Sequence, residues 1–217
     1  LDDFGIPLRL SCTVVKTHGK DRLEGVTIAN VDEKLQPIPG TEEYIECDTL
    51  LLSVGLIPEN ELSKDVGVAL DRVTNGPVVD EYRETLQPGI FACGNVLQVH
   101  DLVDYVTEES QIAGKGAADY IFGKKKGGTY INTKGINGVR YIVPQRVNIE
   151  GEEPLKLYFR VGQVYKGAKV VVECDGNILS SKKKIKLAPG EMENVTITPE
   201  MLKNMNKDSE IIVRVEE

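Results

Sequence analysis

The spacing of apolar residues changes partway along the chain, at GKKKGG (Gly123–Gly128), and no single sheet or bundle serves both spacings. Beyond the break, Val139–Val143, Leu155–Val161, Ala168–Cys174, Lys184–Leu187, Val195–Ile197 and Ile211–Val215 alternate or are β-branched. Asp175-Gly176 and Pro189-Gly190 supply turns between them. Segments recurring every ~8–15 residues predict a small antiparallel β-sandwich. Thr198-Pro199-Glu200, ahead of Met201 and Leu202, predicts one helical turn before the closing strand.

Before the break the signals differ. Leu8–Val15, Gly25–Val31 and Tyr44–Cys47 read as an antiparallel meander. Asp48–Gly55 (DTLLLSVG) is apolar on both faces and ends on glycine, which predicts a strand covered on both sides, as in a parallel α/β sheet. Residues 56–63 read as a loop, and Val78–Asp80 and Gly89–Cys93 as short strands. A helix is predicted over about 105–122, with Asp104 as N-cap and Gly123 as the stop. Gly114 and Gly116 inside it cost about 1 kcal/mol each relative to alanine. That cost predicts close approach to another backbone, here a sheet.

The net charge of −8 is unevenly spread. Residues 1–126 carry 12 Lys/Arg against 22 Asp/Glu, and residues 127–217 carry 14 against 12. An acidic first part argues against a nucleic-acid partner, which needs a basic face for its phosphates. Lys124–Lys126 reads as a solvated linker and Lys182–Lys184 as a solvated hairpin. No apolar run reaches the ~20 residues that span a bilayer. Cys12, Cys47, Cys93 and Cys174 have neither CxxC nor zinc-site spacing, which points to a reducing, cytoplasmic setting. The chain opens on Leu1 in an extended-looking stretch, as a piece of something longer would.

Chemistry concentrates in Thr85–Asn95, TLQPGIFACGN. A strand that ends on glycine lets a ligand approach the backbone, and the polar side chain after it can bond a hydroxyl or phosphate. This stretch resembles the second flavin-binding motif of the pyridine nucleotide-disulfide oxidoreductase family. In that family the position of Asn95 is usually aspartate; asparagine keeps the acceptor, gains a donor and removes a negative charge beside an anionic cofactor. Cys47–Asn60 is similar to the last strand of the family's NAD-binding domain with its crossover to the flavin domain, and the glycine-rich helix follows in the family's order. The resemblance covers residues 40–123 well and residues 1–39 loosely. It implies FAD and NAD(P) as cofactors of the intact protein, with Gly94, Asn95, Val106 and Thr107 as cofactor-binding residues. Val106 and Thr107 are taken to offer unpaired N–H groups at the helix start, whose dipole favours charge on a reduced flavin. DLVDYVTEES resembles branches without a redox disulfide, those associated with amine and hydroxy-acid dehydrogenases.

No GxGxxG occurs, so neither dinucleotide phosphate cradle is in this sequence. The expected fold class is α/β: incomplete Rossmann-like portions, then a small antiparallel sandwich-like domain. Residues 1–60 would be the rear half of an NAD(P)-binding domain, 61–126 the C-terminal part of an FAD-binding domain, and 127–217 a β-rich domain. The intact protein would exchange hydride between nicotinamide and flavin for a small-molecule substrate, the piece alone being inactive and self-associating. The alternative is a β-rich module that docks a partner oxidoreductase subunit. His18 and His100 read as surface residues, and no metal site is expected. Asp101, Asp104, Glu108 and Glu109 read as the cap and first turn of the helix, and Cys47 and Cys93 as small buried residues.

Overall fold

Alternation after the break does build two facing sheets. In a computed structural model describing residues 2–124 and 127–217, β5 (Val139–Val143), β7 (Leu155–Val161) and β10 (Glu193–Ile197) form a three-stranded sheet in the order β10-β7-β5. Opposite it stand β4 (Tyr130–Gly135), β6 (Arg146–Asn148), β8 (Tyr165–Cys174), β9 (Asn177–Leu187) and β11 (Glu210–Glu216), ordered β6-β4-β11-β8-β9. Their inward residues share one core that includes Phe159, Leu157, Ile197, Val172, Ile211 and Val213. Every pairing is antiparallel except β11 with β4, so the sandwich is not purely antiparallel. β4 and β6 are short and polar at alternate positions, and their periodicity is correspondingly weak. The helical turn α3 forms at Pro199–Leu202 with proline in its first turn.

The chain divides into two compact units, residues 1–55 and 56–217. The first holds the expected meander: β1 (Cys12–His18), β2 (Gly25–Asn30) and β3 (Glu43–Glu46), paired antiparallel in that order. Asp48–Gly55 departs from expectation. It forms no strand, and Leu51 and Val54 are 90% and 87% exposed. A strand apolar on both faces needs neighbouring strands and a layer on each side. The described residues supply neither.

In the second unit, residues 56–124 and the sandwich pack together. α1 (Glu61–Asp65) forms where a loop was expected, and α2 (Val103–Ile121) is the main helix. Glu108 on α2 pairs with Lys156 and accepts from the Tyr158 hydroxyl at 2.7 Å, while Tyr105 meets the Tyr158 ring edge-on at 5.9 Å. Arg160 reaches from β7 to Asp101 at 3.2 Å. Val78–Asp80 and Gly89–Cys93 appear only as isolated bridges, Val79 to Thr85 and Glu84 to Phe91. Lys125 and Lys126 of the expected solvated linker lie outside the described residues. Lys182–Lys184 belongs to the edge strand β9, with Lys184 paired to Glu193 at 2.6 Å.

Candidate functional site

A series of tight turns delivers the chain to Gly94. Asp80 accepts from the backbone N–H groups of Tyr82 and Glu84 at 2.9 and 3.0 Å, folding the segment back on itself. Cys93 is extended; Gly94 then takes φ +69°, the left-handed region where a side chain is strained, and opens a 3-10 turn over Gly94–Val96. Buried Asn60 secures this turn from the return segment. Its amide donates to the Asn75 and Val96 carbonyls at 2.9 and 2.8 Å, and Ser63 donates to its oxygen at 3.0 Å. Asn95 is exposed, its Oδ1 accepting from the His100 backbone N–H at 3.2 Å.

α2 begins two residues earlier than its sequence suggests. Leu102, extended and without a side-chain cap hydrogen bond, is the N-cap, and Asp104 lies in the first turn. The backbone N–H of Tyr105 already donates to Leu102 at 3.2 Å. Val106 and Thr107 therefore fall within the i−4 ladder, and the open donors at the positive end belong to Val103 and Asp104. The structure does bring Val106 to the turn: a Cβ on Gly94 would lie 3.6 Å from Val106 Cγ1. Thr107 instead turns its hydroxyl to the Val103 carbonyl at 3.1 Å.

Beneath the turn sits a group that the sequence did not reveal. Glu109 is fully buried and accepts four hydrogen bonds: from Arg83 Nε at 3.2 Å, Gly94 N at 2.9 Å, Gln98 Nε2 at 3.0 Å and His100 Nε2 at 2.8 Å. His100 is thus no surface residue; its side chain is 1% exposed, as is that of Arg83. Burial works to raise the Glu109 pKa, but the His100 bond and the Arg83 charge outweigh it and hold the carboxyl below its ordinary value. Burial, reinforced by Glu109, pushes the Cys93 thiol up, so it is not an activated thiolate. Arg83 Nη2, Gln98 Oε1 and His100 Nδ1 are buried with no hydrogen-bond partner among the described residues. All four cysteines are free thiols. No cluster of metal-ligating side chains occurs among the described residues, and no helix there is long and apolar enough to cross a membrane.

A family model described as pyridine nucleotide-disulphide oxidoreductase matches residues 1–115, more than half of the sequence. The chain belongs to that family. The matched span runs through the meander, the return segment, the Gly94 turn and most of α2. Among curated members of wider similarity, a thioredoxin reductase from Mycoplasmopsis pulmonis is 34% identical over 113 residues, 51% of this chain and 33% of that one. A nitric oxide reductase FlRd-NAD(+) reductase from Salmonella agona is 26% identical over 123 residues, 57% and 29% of the two chains. A glutamate synthase [NADPH] small chain from Halomonas elongata is 27% identical over 130 residues, 54% and 28%. The chain therefore spans about a third or less of the length of these relatives.

Proposed function

We propose that this chain is a portion of an FAD-dependent oxidoreductase that exchanges electrons with NAD(P). Residues 1–60 would close the nicotinamide domain, 61–126 the flavin domain, and 127–217 would be an appended β domain. One observation carries the reading. The uncapped, positive end of a 19-residue helix stands beside a left-handed glycine turn whose next residue, Asn95, is exposed. These residues fit a flavin. Asn95 would bond a ribityl hydroxyl, and the open N–H groups of Val103 and Asp104, with Val106 packed behind, would favour negative charge on the ring. When bound, the flavin supplies the hydride chemistry with nicotinamide. Glu109 occupies the Gly94 N–H, so that donor serves the shape of the turn and not the cofactor.

The phosphate cradles are absent from the sequence, so the chain itself is proposed to be inactive. The three retained polar contacts, from Asn95 and the N–H groups of Val103 and Asp104, contribute ~0.5–1.5 kcal/mol each, against the ~8 kcal/mol that micromolar affinity requires. Titration of the purified chain with FAD, followed by flavin fluorescence, is expected to show no saturation at micromolar concentration. Saturable binding there would overturn the reading of the chain as a portion.

A second reading is supported by the free edge of β9, which carries Lys182, Lys183 and Lys186 on a sheet that ends there. The β domain could dock an acidic partner subunit through it. Binding of an acidic redox partner that survives Lys182→Glu with Lys183→Glu would remove that reading.

A further inference from the structure

Gln98 and Val99, just after the Gly94–Val96 turn, line a cavity of about 260 Å³ together with Arg140, Tyr141 and Arg160 of β5 and β7. Its rim is apolar and open: Leu56, Ile57 and Val73 are 60%, 79% and 48% exposed. The two arginines differ in how far they are committed. Arg160 donates to the Pro189 carbonyl at 3.1 Å, the Val99 carbonyl at 3.0 Å and Asp101 at 3.2 Å. Arg140 is exposed and makes no ion pair among the described residues.

The backbone gives Arg140 its place. The β5–β7 register advances from Val139↔Val161 to Tyr141↔Arg160, leaving Arg140 as the extra residue of a bulge. Bulges re-aim a side chain out of the alternation of the strand. The Arg140 stem runs over Gly162, where an added Cβ would lie 3.5 Å from its Cγ. Asp101 neutralises Arg160, so one uncompensated guanidinium stands over an apolar rim.

We propose that this cavity binds a small organic anion, a carboxylate or phosphate monoester with a short aliphatic body. Arg140 pairs with the anionic head through its planar fork. The carbon body covers Leu56, Ile57 and Val73, which water otherwise meets. The cavity adjoins the Gly94 turn through Gln98 and Val99, so the anion is placed as the substrate of the oxidoreductase. That use rests on the flavin reading above; the anion site does not, and it is tested without flavin.

The test is a titration of the isotope-labelled chain with hexanoate, hexyl phosphate, inorganic phosphate and 1-hexanol, followed by amide NMR. At least one of the two amphiphilic anions is expected to shift Val99, Arg140 and Tyr141 saturably at about millimolar concentration, which corresponds to ~4 kcal/mol. Inorganic phosphate should bind at least about tenfold more weakly, and hexanol should not saturate. The tighter of the two anions identifies the head group as carboxylate or phosphate. Arg140→Gln should weaken binding at least about tenfold, Arg140→Lys less, and Lys169→Gln not at all. Absence of saturation, shifts confined to other residues, equal binding of hexanol, or undiminished affinity in a folded Arg140→Gln variant would each overturn the proposal. If Arg140→Gln does not fold, the wild-type shifts decide alone.

Discussion

Glu109 and Glu108 are neighbours in sequence with opposite fates. Successive residues on a helix point about 100° apart, so Glu108 reaches Lys156 and Tyr158 on the sandwich while Glu109 turns under the Gly94 turn. Which of the two is buried depends on donors supplied from residues 83 and 94–100. No local pattern in the sequence contains that information, and the same holds for His100. Replacing Glu109 by alanine strands a buried guanidinium, and is expected to lower stability by ~3–5 kcal/mol in urea unfolding. Glu109→Gln keeps the shape but leaves Arg83 without its counter-charge, so its loss should be of similar size. The pH dependence follows from the lowered pKa. The contribution of Glu109 is complete above the unfolded value of about 4.3 and is lost as pH falls through the lower folded value. Urea midpoints measured from pH 7 down to pH 3 should fall more steeply in the wild type than in Glu109→Gln.

Two glycines separate what α2 shows in sequence from what it does in the fold. A glycine-rich helix predicts close packing, and Gly116 bears this out: a Cβ there would come 2.6 Å from the Tyr82 carbonyl oxygen and 2.9 Å from Tyr82 Cβ. Gly114 faces open space. Gly116→Ala is therefore expected to destabilise by ~1–3 kcal/mol through overpacking, while Gly114→Ala should stabilise by ~0.4–1 kcal/mol through the unfolded chain. Thermal melts of the two variants should move in opposite directions. The helix and β5, β7 and β11 were legible because their period repeats over a whole element. β4 and β6 offered too few apolar positions for that, and the longest strand, β9, was legible only at Lys184–Leu187, since its run of serines and lysines hides the alternation. Asp48–Gly55 was misread because a two-faced apolar run reports what a segment needs for cover, and the described residues do not provide it. The Gly94 turn was legible in its glycine and polar neighbour, whereas the true start of α2 was not, since Leu102 carries none of the side-chain chemistry that marks an N-cap.

For the whole molecule, the largest unmet demand is that of Leu51, Leu52 and Val54, which are 90%, 69% and 87% exposed within four consecutive residues. Scattered apolar side chains on a surface are ordinary, but a contiguous group with a net-acidic surrounding sequence is not dispersed by its own residues. Complete burial contributes ~1.5–3 kcal/mol for each such side chain. A two-fold contact covering three from each copy would therefore gather at most roughly 9–18 kcal/mol, against an association cost of ~4–15 kcal/mol. The balance favours a reversible dimer of modest affinity. Sedimentation velocity is expected to show the weight-average mass rising between about 1 and 200 μM, within the range that such affinities span. Leu51→Lys combined with Val54→Lys should hold the chain monomeric over the same range while leaving its unfolding within ~0.5 kcal/mol, because both sites are solvent-facing in the single chain. A wild-type chain that stays monomeric throughout would show that this segment is stable in water uncovered. A double variant that still associates would place the contact elsewhere, with the free edge of β9 the next surface to mutate.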